Sequence, residues 1–289
     1  MLYIFVAGLL WGTIGIFVKS LAAFGADSAL TCFLRMLFAF IIMLVFSLIK
    51  HGKNVIIRDK SVLLFTVLFG LICHGMQNIC YTASIKLNGM AIACVLMYTA
   101  PIFTALASCL IFHERITRRK IFALIVNIVG CVLTVTGGKI SGALEFSLIG
   151  LLAGLGTGFS YGMSAIIGKA AGKKADAILF NTYAYFFATI FIFIFMRPSI
   201  TTLDAKILGT GFLYGLIPTS LAYVVYYDGI RKIRDTSRVP VIASIEPVTA
   251  VLIGMLVYGE ELGVMNFAGV VIVLASILIM MKGGEKRHE

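Results

Sequence analysis

Apolar runs of about twenty residues recur along the 289-residue chain, separated by short polar breaks, and ten can be drawn. They cover approximately 2–22, 28–49, 61–85, 90–112, 119–137, 147–168, 177–197, 206–229, 237–258 and 264–281. A hydrocarbon core about 30 Å thick needs roughly 20 such residues per helix. Chain inside lipid must also pair its own backbone groups, which leaves helices or a closed barrel. The runs are continuous and rich in Leu, Ile and Phe, without the alternation of a barrel strand. The pattern therefore predicts an all-α polytopic membrane protein of ten transmembrane helices. Its connections are too short to hold a soluble domain. The first run, Leu2–Leu21, is followed by small residues at Ala22–Ala26, as in a signal peptide. No basic stretch precedes it, and the expectation is a retained helix.

Composition agrees with the pattern. Hydrophobic residues make up 60% and charged residues 13%, against roughly 25% charged in a soluble domain, and the mean hydropathy is +1.04. The net charge of +11 could suggest nucleic acid. The basic residues instead cluster between spans and alternate in density from break to break. Eighteen fall on one side, around Lys50–Lys60, Arg115–Lys120, Lys169–Lys174, Arg231–Arg238 and Lys282–Arg287. Five fall on the other: Lys19, Lys86, Lys139, Arg197 and Lys206. The positive-inside rule then places both termini in the cytoplasm, and no nucleic-acid partner is expected. The six cysteines lie within apolar runs without ligand spacing, so neither metal nor cofactor is expected.

The chain also repeats itself. The stretch MYTAPIFTALASCLIFHERIT from Met97 aligns with ASIEPVTAVLIGMLVYGEELG from Ala243, matching Pro101 to Pro247 and Glu114 to Glu260. GLICHGMQNICYTASIK from Gly70 aligns with GLIPTSLAYVVYYDGIR from Gly215, matching Tyr81 to Tyr226. LLWGTIGIFVK aligns with FSYGMSAIIGK, matching Trp11 to Tyr161, Gly12 to Gly162 and Lys19 to Lys169. Because five is odd, a copied five-helix unit must insert upside down. The expectation is a first repeat at 1–138, a connecting loop at 139–146 and an inverted second repeat at 147–289. Such repeats present one central site alternately to either side of a membrane.

On these residues the chain resembles the EamA-type branch of the drug/metabolite transporter superfamily. The resemblance rests on Trp11-Gly12, on Arg35 in the second span, and on Pro101…Glu114 and Glu246-Pro247…Glu260. It implies ten helices in paired halves, a central cavity and alternating access. It also implies small-metabolite substrates such as amino acids, nucleobase-like compounds or quaternary amines.

Polar groups inside a bilayer are costly and mark pathways. His74, Gln77, Asn78 and Tyr81 form one stripe on span three. Their alternative role is hydrogen-bond glue between helices. Tyr223 and Tyr226 on span eight, with Tyr98, Tyr161 and Trp11, could wall a cavity for an aromatic or cationic group. Arg35 could take a substrate carboxylate or neutralise an acidic neighbour. Glu246 is a candidate proton-coupling group, or else a salt-bridge or capping residue. Pro101, Pro218 and Pro247 are expected helix breaks. The glycines at 150, 154, 158 and 162 permit close helix approach. The spelling Gly158-Phe159-Ser160-Tyr161-Gly162 matches a nucleophile elbow, but that elbow needs a strand-to-helix turn, and this segment is mid-helix.

The reading that follows is a secondary transporter in the cell membrane, with a small-molecule substrate of amino-acid type, exported. No Walker A pattern is present, which argues against direct ATP drive and leaves coupling to protons or to substrate exchange. The functional unit is a monomer or weak dimer and is not an enzyme. A quaternary-amine transporter is the alternative. A non-transporting membrane protein or intramembrane hydrolase is the reading from another class.

Overall fold

A computed structural model describes residues 1–52, 55–138, 147–172, 176–200, 203–261 and 263–282. The expected connecting loop at 139–146 and the tail beyond Lys282 lie outside them. Among the described residues, ten helices are long and apolar enough to span a bilayer: Leu2–Ala23, Ser28–His51, Lys60–Asn88, Ile92–Phe112, Arg118–Thr136, Leu148–Ala171, Ala177–Met196, Ala205–Lys232, Thr236–Tyr258 and Val264–Met281. These are spans one to ten, and each limit lies within three residues of the apolar run that predicts it.

The helix limits have local causes. Asp27, Thr117, Ser147, Asp176 and Asp204 each accept from the backbone N–H three residues on, and Asp59 accepts from Ser61 N–H. These bonds satisfy donors that a helix start leaves unpaired. Spans four and nine end alike. His113 and Gly259 adopt positive φ of 55° and 64°. The next residues, Glu114 and Glu260, donate their N–H to the carbonyls of Ser108 and Gly254, six positions back. This closure recovers orphan carbonyls and fixes where each glutamate leaves its span.

The prolines act differently from expectation. Span eight is not broken at Pro218 but stays continuous through a widened turn, Leu216–Leu221. Span three has a matching wide turn at Phe69–Met76 with no proline at all. Spans four and nine do break, upstream of their prolines, at Tyr98–Thr99 and at Ser244. Pro101 and Pro247 then sit in the first turn of the resumed helices. A missing N–H costs nothing there, because no partner precedes it.

Packing across the molecule is reciprocal. A Cβ on Gly70 would fall on the Ala184 carbonyl, and one on Gly215 would lie 2.8 Å from Ala39 N. Gly130 meets Val273 in the same way, and Gly269 meets Thr134. Gly12 approaches the Glu246 carbonyl, while Gly162 approaches that of Ala100. Contacts that recur with partners exchanged are what a two-fold relation produces. The small residues are tight contacts: Gly154 and Gly158 lie against Leu96 and Thr99. Gly70→Ala should therefore cost about 1–3 kcal/mol through overpacking. It should lower the melting temperature in detergent, while Gly209→Ala, which meets nothing within 4 Å, should leave it unchanged or raise it.

Candidate functional site

Between the spans lies a cavity of about 230 Å³. Its inner end is near the middle of spans one, three, six, eight and nine, at Trp11, His74, Tyr161, Tyr223 and Glu246. Its walls continue along Val18, Ala22, Ala26, Ser28, Thr82 and Ile85 toward the face poor in Lys and Arg. Of the residues singled out by sequence, Trp11, Arg35, His74, Gln77, Asn78, Tyr81, Tyr161, Tyr223 and Glu246 line it. Tyr98 and Tyr226 do not. Tyr98 is buried at the span-four break. Tyr226 packs behind Trp11, with its hydroxyl 2.9 Å from Ser164 Oγ.

Arg35 is held from span eight. Pro218 has no N–H, so the Tyr214 carbonyl four residues back loses its helical donor. The Thr219 hydroxyl donates to that carbonyl at 2.8 Å and accepts from Arg35 Nε at 3.0 Å. Tyr185 Oη donates to the Thr219 carbonyl at 3.1 Å. The guanidinium also lies 5.1 Å from the Tyr214 ring centroid, a cation–π distance. It forms no ion pair among the described residues, although Glu246 lines the same cavity. The Nε bond fixes the stem of Arg35 in the cavity wall.

Glu246 has a different support. Because span nine resumes at Ile245, its carboxylate sits in a first helical turn, where the positive end of the helix dipole stabilises an anion. Tyr161 Oη donates to it at 3.0 Å. It too forms no ion pair among the described residues. Its position in the first half is occupied by Ala100, so only one half carries the carboxylate.

The aromatic wall centres on Trp11, whose ring lies 5.9, 5.0 and 4.9 Å from those of Tyr161, Tyr223 and Tyr226. Trp11 Nε1 and His74 Nε2 are buried without a protein partner. A buried polar atom left unpaired costs about 1–3 kcal/mol, and here both belong to cavity-lining residues. The His74 ring packs 4.6 Å from Tyr223 and 5.0 Å from Tyr185. Asn78 donates to the His74 carbonyl at 2.7 Å, and Tyr81 Oη lies 2.9 Å from Cys94 Sγ. Sequence reasoning passed over Tyr214. Its signal was its place four residues before Pro218, the one carbonyl that the proline must orphan.

Toward the basic face the path is closed. Phe180 stacks on Tyr227 at 4.3 Å, with Phe69 edge-on at 5.2 Å. Beyond them Glu114 accepts from Lys169 Nζ at 2.7 Å, Thr236 Oγ1 at 2.6 Å and the Thr236 N–H at 2.9 Å. Asp235 accepts from Ser237 Oγ (2.6 Å), Lys120 Nζ (2.9 Å) and Arg238 Nε (2.9 Å). Burial alone would raise the Asp235 carboxyl, but these hydrogen bonds and the charge of Lys120 hold it down from 3.8 to about 2. A depressed carboxylate stabilises the fold above its unfolded pKa, and that stability is lost as pH falls through the folded value. The melting temperature of the wild type should thus fall between about pH 4 and pH 2. Asp235→Asn should start lower at neutral pH and lose less over that interval.

Ser160 lies in mid-helix and donates to the Gly156 carbonyl at 2.7 Å, so the elbow spelling carries no elbow. Among the described residues no His/Cys/Asp/Glu group is arranged to hold a metal.

Ten spanning helices around a cavity that carries Arg35 and Glu246 in a largely apolar and aromatic wall define an integral membrane protein of the transporter class. The profile of the EamA-like transporter family matches residues 1–136 and again 148–282, and the chain belongs to that family. It is similar to an uncharacterized transporter of Archaeoglobus fulgidus, 28% identical over 96% of this chain and 94% of that one. It is also similar to the uncharacterized transporter YwfM of Bacillus subtilis, 24% identical over 99% and 95% of the two chains. One crystal structure shares the fold at a TM-score of 0.80 and 16% identity, covering 96% of this chain and 94% of that one.

Proposed function

We propose that the two five-helix halves, 1–138 and 147–289, work by alternating access and carry amino-acid-type zwitterions, with export as the net direction. The observation that carries this reading is one cavity holding a cation, Arg35, and a carboxylate, Glu246, neither of them ion-paired. A zwitterion satisfies both at once: its carboxylate on the Arg35 fork, its ammonium against Glu246 and the Trp11–Tyr161–Tyr223 faces. Gln77 supplies a further polar group on the same wall. A quaternary amine such as choline would use Glu246 and the aromatic faces but would leave Arg35 unpaired, which makes it the second reading.

In this account the basic face is cytoplasmic, and the cavity described here is open toward the outside. One chain encloses the whole cavity, so a monomer suffices. Glu246 is the proton-coupling candidate, and no enzymatic step is involved.

The test is counterflow in proteoliposomes preloaded with unlabelled neutral, aromatic or basic amino acids or with choline. Saturable entry of a labelled amino acid supports the proposal. Entry of choline alone replaces it with the second reading. No flux above empty vesicles across the panel overturns the substrate class. Inside-out vesicles then test direction, since an exporter accumulates substrate in them.

A further inference from the structure

Two ion pairs stand at opposite faces of the bundle, and each joins one half to the other. On the basic face Lys169 of span six meets Glu114 at the exit of span four. On the opposite face Lys19 of span one meets Glu260 at the exit of span nine. Lys19 aligns with Lys169 and Glu260 with Glu114, so exchanging the halves turns one pair into the other. The surroundings match as well: Lys169 lies 4.6 Å from the Phe112 ring and Lys19 lies 4.1 Å from that of Tyr258. Phe112 and Tyr258 occupy equivalent positions, each two residues before the glutamate.

The two pairs differ in what else they hold. The Glu114 and Lys169 side chains are 12% and 23% exposed. Both Glu114 oxygens accept from the Thr236 N–H, at 2.9 and 3.0 Å, and Thr236 Oγ1 donates at 2.6 Å. The start of span nine is thereby tied across the path. The Glu260 and Lys19 side chains are about half exposed, 51% and 52%, and Glu260 ties down nothing on span four. By the same alignment the counterpart of Thr236 is Met90, the first residue of the helix that leads into span four, beside Gly89.

The geometry points to Glu114 and Glu260 as alternating latches of the transport cycle. In this structure Glu114 clasps the entrance of span nine and closes the basic face, while Glu260 is parked on Lys19. In the opposite state Glu260 clasps the backbone N–H of Met90 and closes the other face, while Glu114 lets go of Thr236 and stays on Lys169. Each lysine keeps its glutamate neutralised during the swing. Only the grip on the partner half's helix start changes. This rests on the alternating-access reading, but it goes beyond it in naming the four positioning residues and a contact that this structure does not contain.

The test needs no substrate, so it can fail independently of the transport assay. In a background with the other cysteines removed, native Cys32, which lines the cavity, reports opening toward the Lys/Arg-poor face. Ser164→Cys reports the opposite opening. Ser164 is buried here, and it is the counterpart of Ile14, which lines the cavity. Rates of reaction with a membrane-impermeant maleimide are measured for each reporter. Glu260→Gln should raise the Cys32 rate and lower the Ser164→Cys rate, and Glu114→Gln should do the reverse. Each ratio should move by about tenfold, the scale of a modest coupling between sites. The charge exchange Lys19→Glu with Glu260→Lys should keep the outer ion pair but not restore the wild-type ratio, because a lysine at position 260 cannot accept from the Met90 N–H; full restoration would mean that the ion pair alone sets the ratio. Melting temperatures identify any variant that has lost its fold, in which case Thr236→Val, which removes only the hydroxyl that donates to Glu114 in this state, should give the sign of Glu114→Gln. Rates that do not move, or that move together in both glutamate variants, overturn the proposal.

Discussion

Arg35→Ala should reduce amino-acid counterflow by at least about thirtyfold, because removing one partner of a desolvated, hydrogen-bonded charge pair costs roughly 2–5 kcal/mol. The fold should survive. The protein partner lost is the neutral Thr219 hydroxyl, and no ion pair among the described residues is broken. Arg35→Lys should fall between wild type and alanine, since an ammonium keeps the charge but not the two-pronged geometry. Choline, if carried at all, should be indifferent to either change or favoured by it. Unchanged amino-acid counterflow in Arg35→Ala, with a wild-type melting temperature, would return Arg35 to a structural role in supporting the wide turn of span eight.

Glu246→Gln is expected to separate exchange from accumulation. Counterflow should persist at reduced rate, whereas uphill accumulation driven by a pH gradient should fall to the level of simple equilibration. The reasoning is positional. Glu246 is the carboxylate lining the cavity, it sits at a helix restart, and its half-related position is Ala100. Tyr161→Phe removes the 3.0 Å donor to it and should weaken accumulation less than Glu246→Gln does. Gradient-driven accumulation that survives in Glu246→Gln would place coupling elsewhere.

How far the sequence reached depended on whether a feature is written locally. Spans are, because twenty apolar residues and an Asp, Ser or Thr cap leave a direct trace. The span-three stripe is too: His74, Gln77, Asn78 and Tyr81 keep their helical spacing through the wide turn and arrive on one wall. The positions of Glu114 and Glu260 follow from the helix closures that precede them.

What depends on partners was hidden. The wide turn at Phe69–Met76 has no proline to announce it. It is bracketed by Gly70 and Gly75, which press against Ala184 and Phe191 of span seven, a contact that no local pattern records. Pro218 suggested a break, but the Thr219 hydroxyl takes the orphaned carbonyl and keeps the helix whole. Tyr226 looked equivalent to Tyr223 on one face. Its contact with Ser164, 62 residues away, turns it behind Trp11.

The chain contains a single tryptophan, and it forms part of the cavity wall. Titrating purified protein in nanodiscs with amino acids while following Trp11 fluorescence therefore reads the proposed site directly. The account predicts a saturable change for a transported amino acid in the wild type. It predicts none over the same concentrations in Arg35→Ala of equal melting temperature. A saturable response of wild-type affinity in Arg35→Ala, or counterflow of an amino acid that never alters Trp11 emission, would contradict the claim that this cavity is where substrate binds.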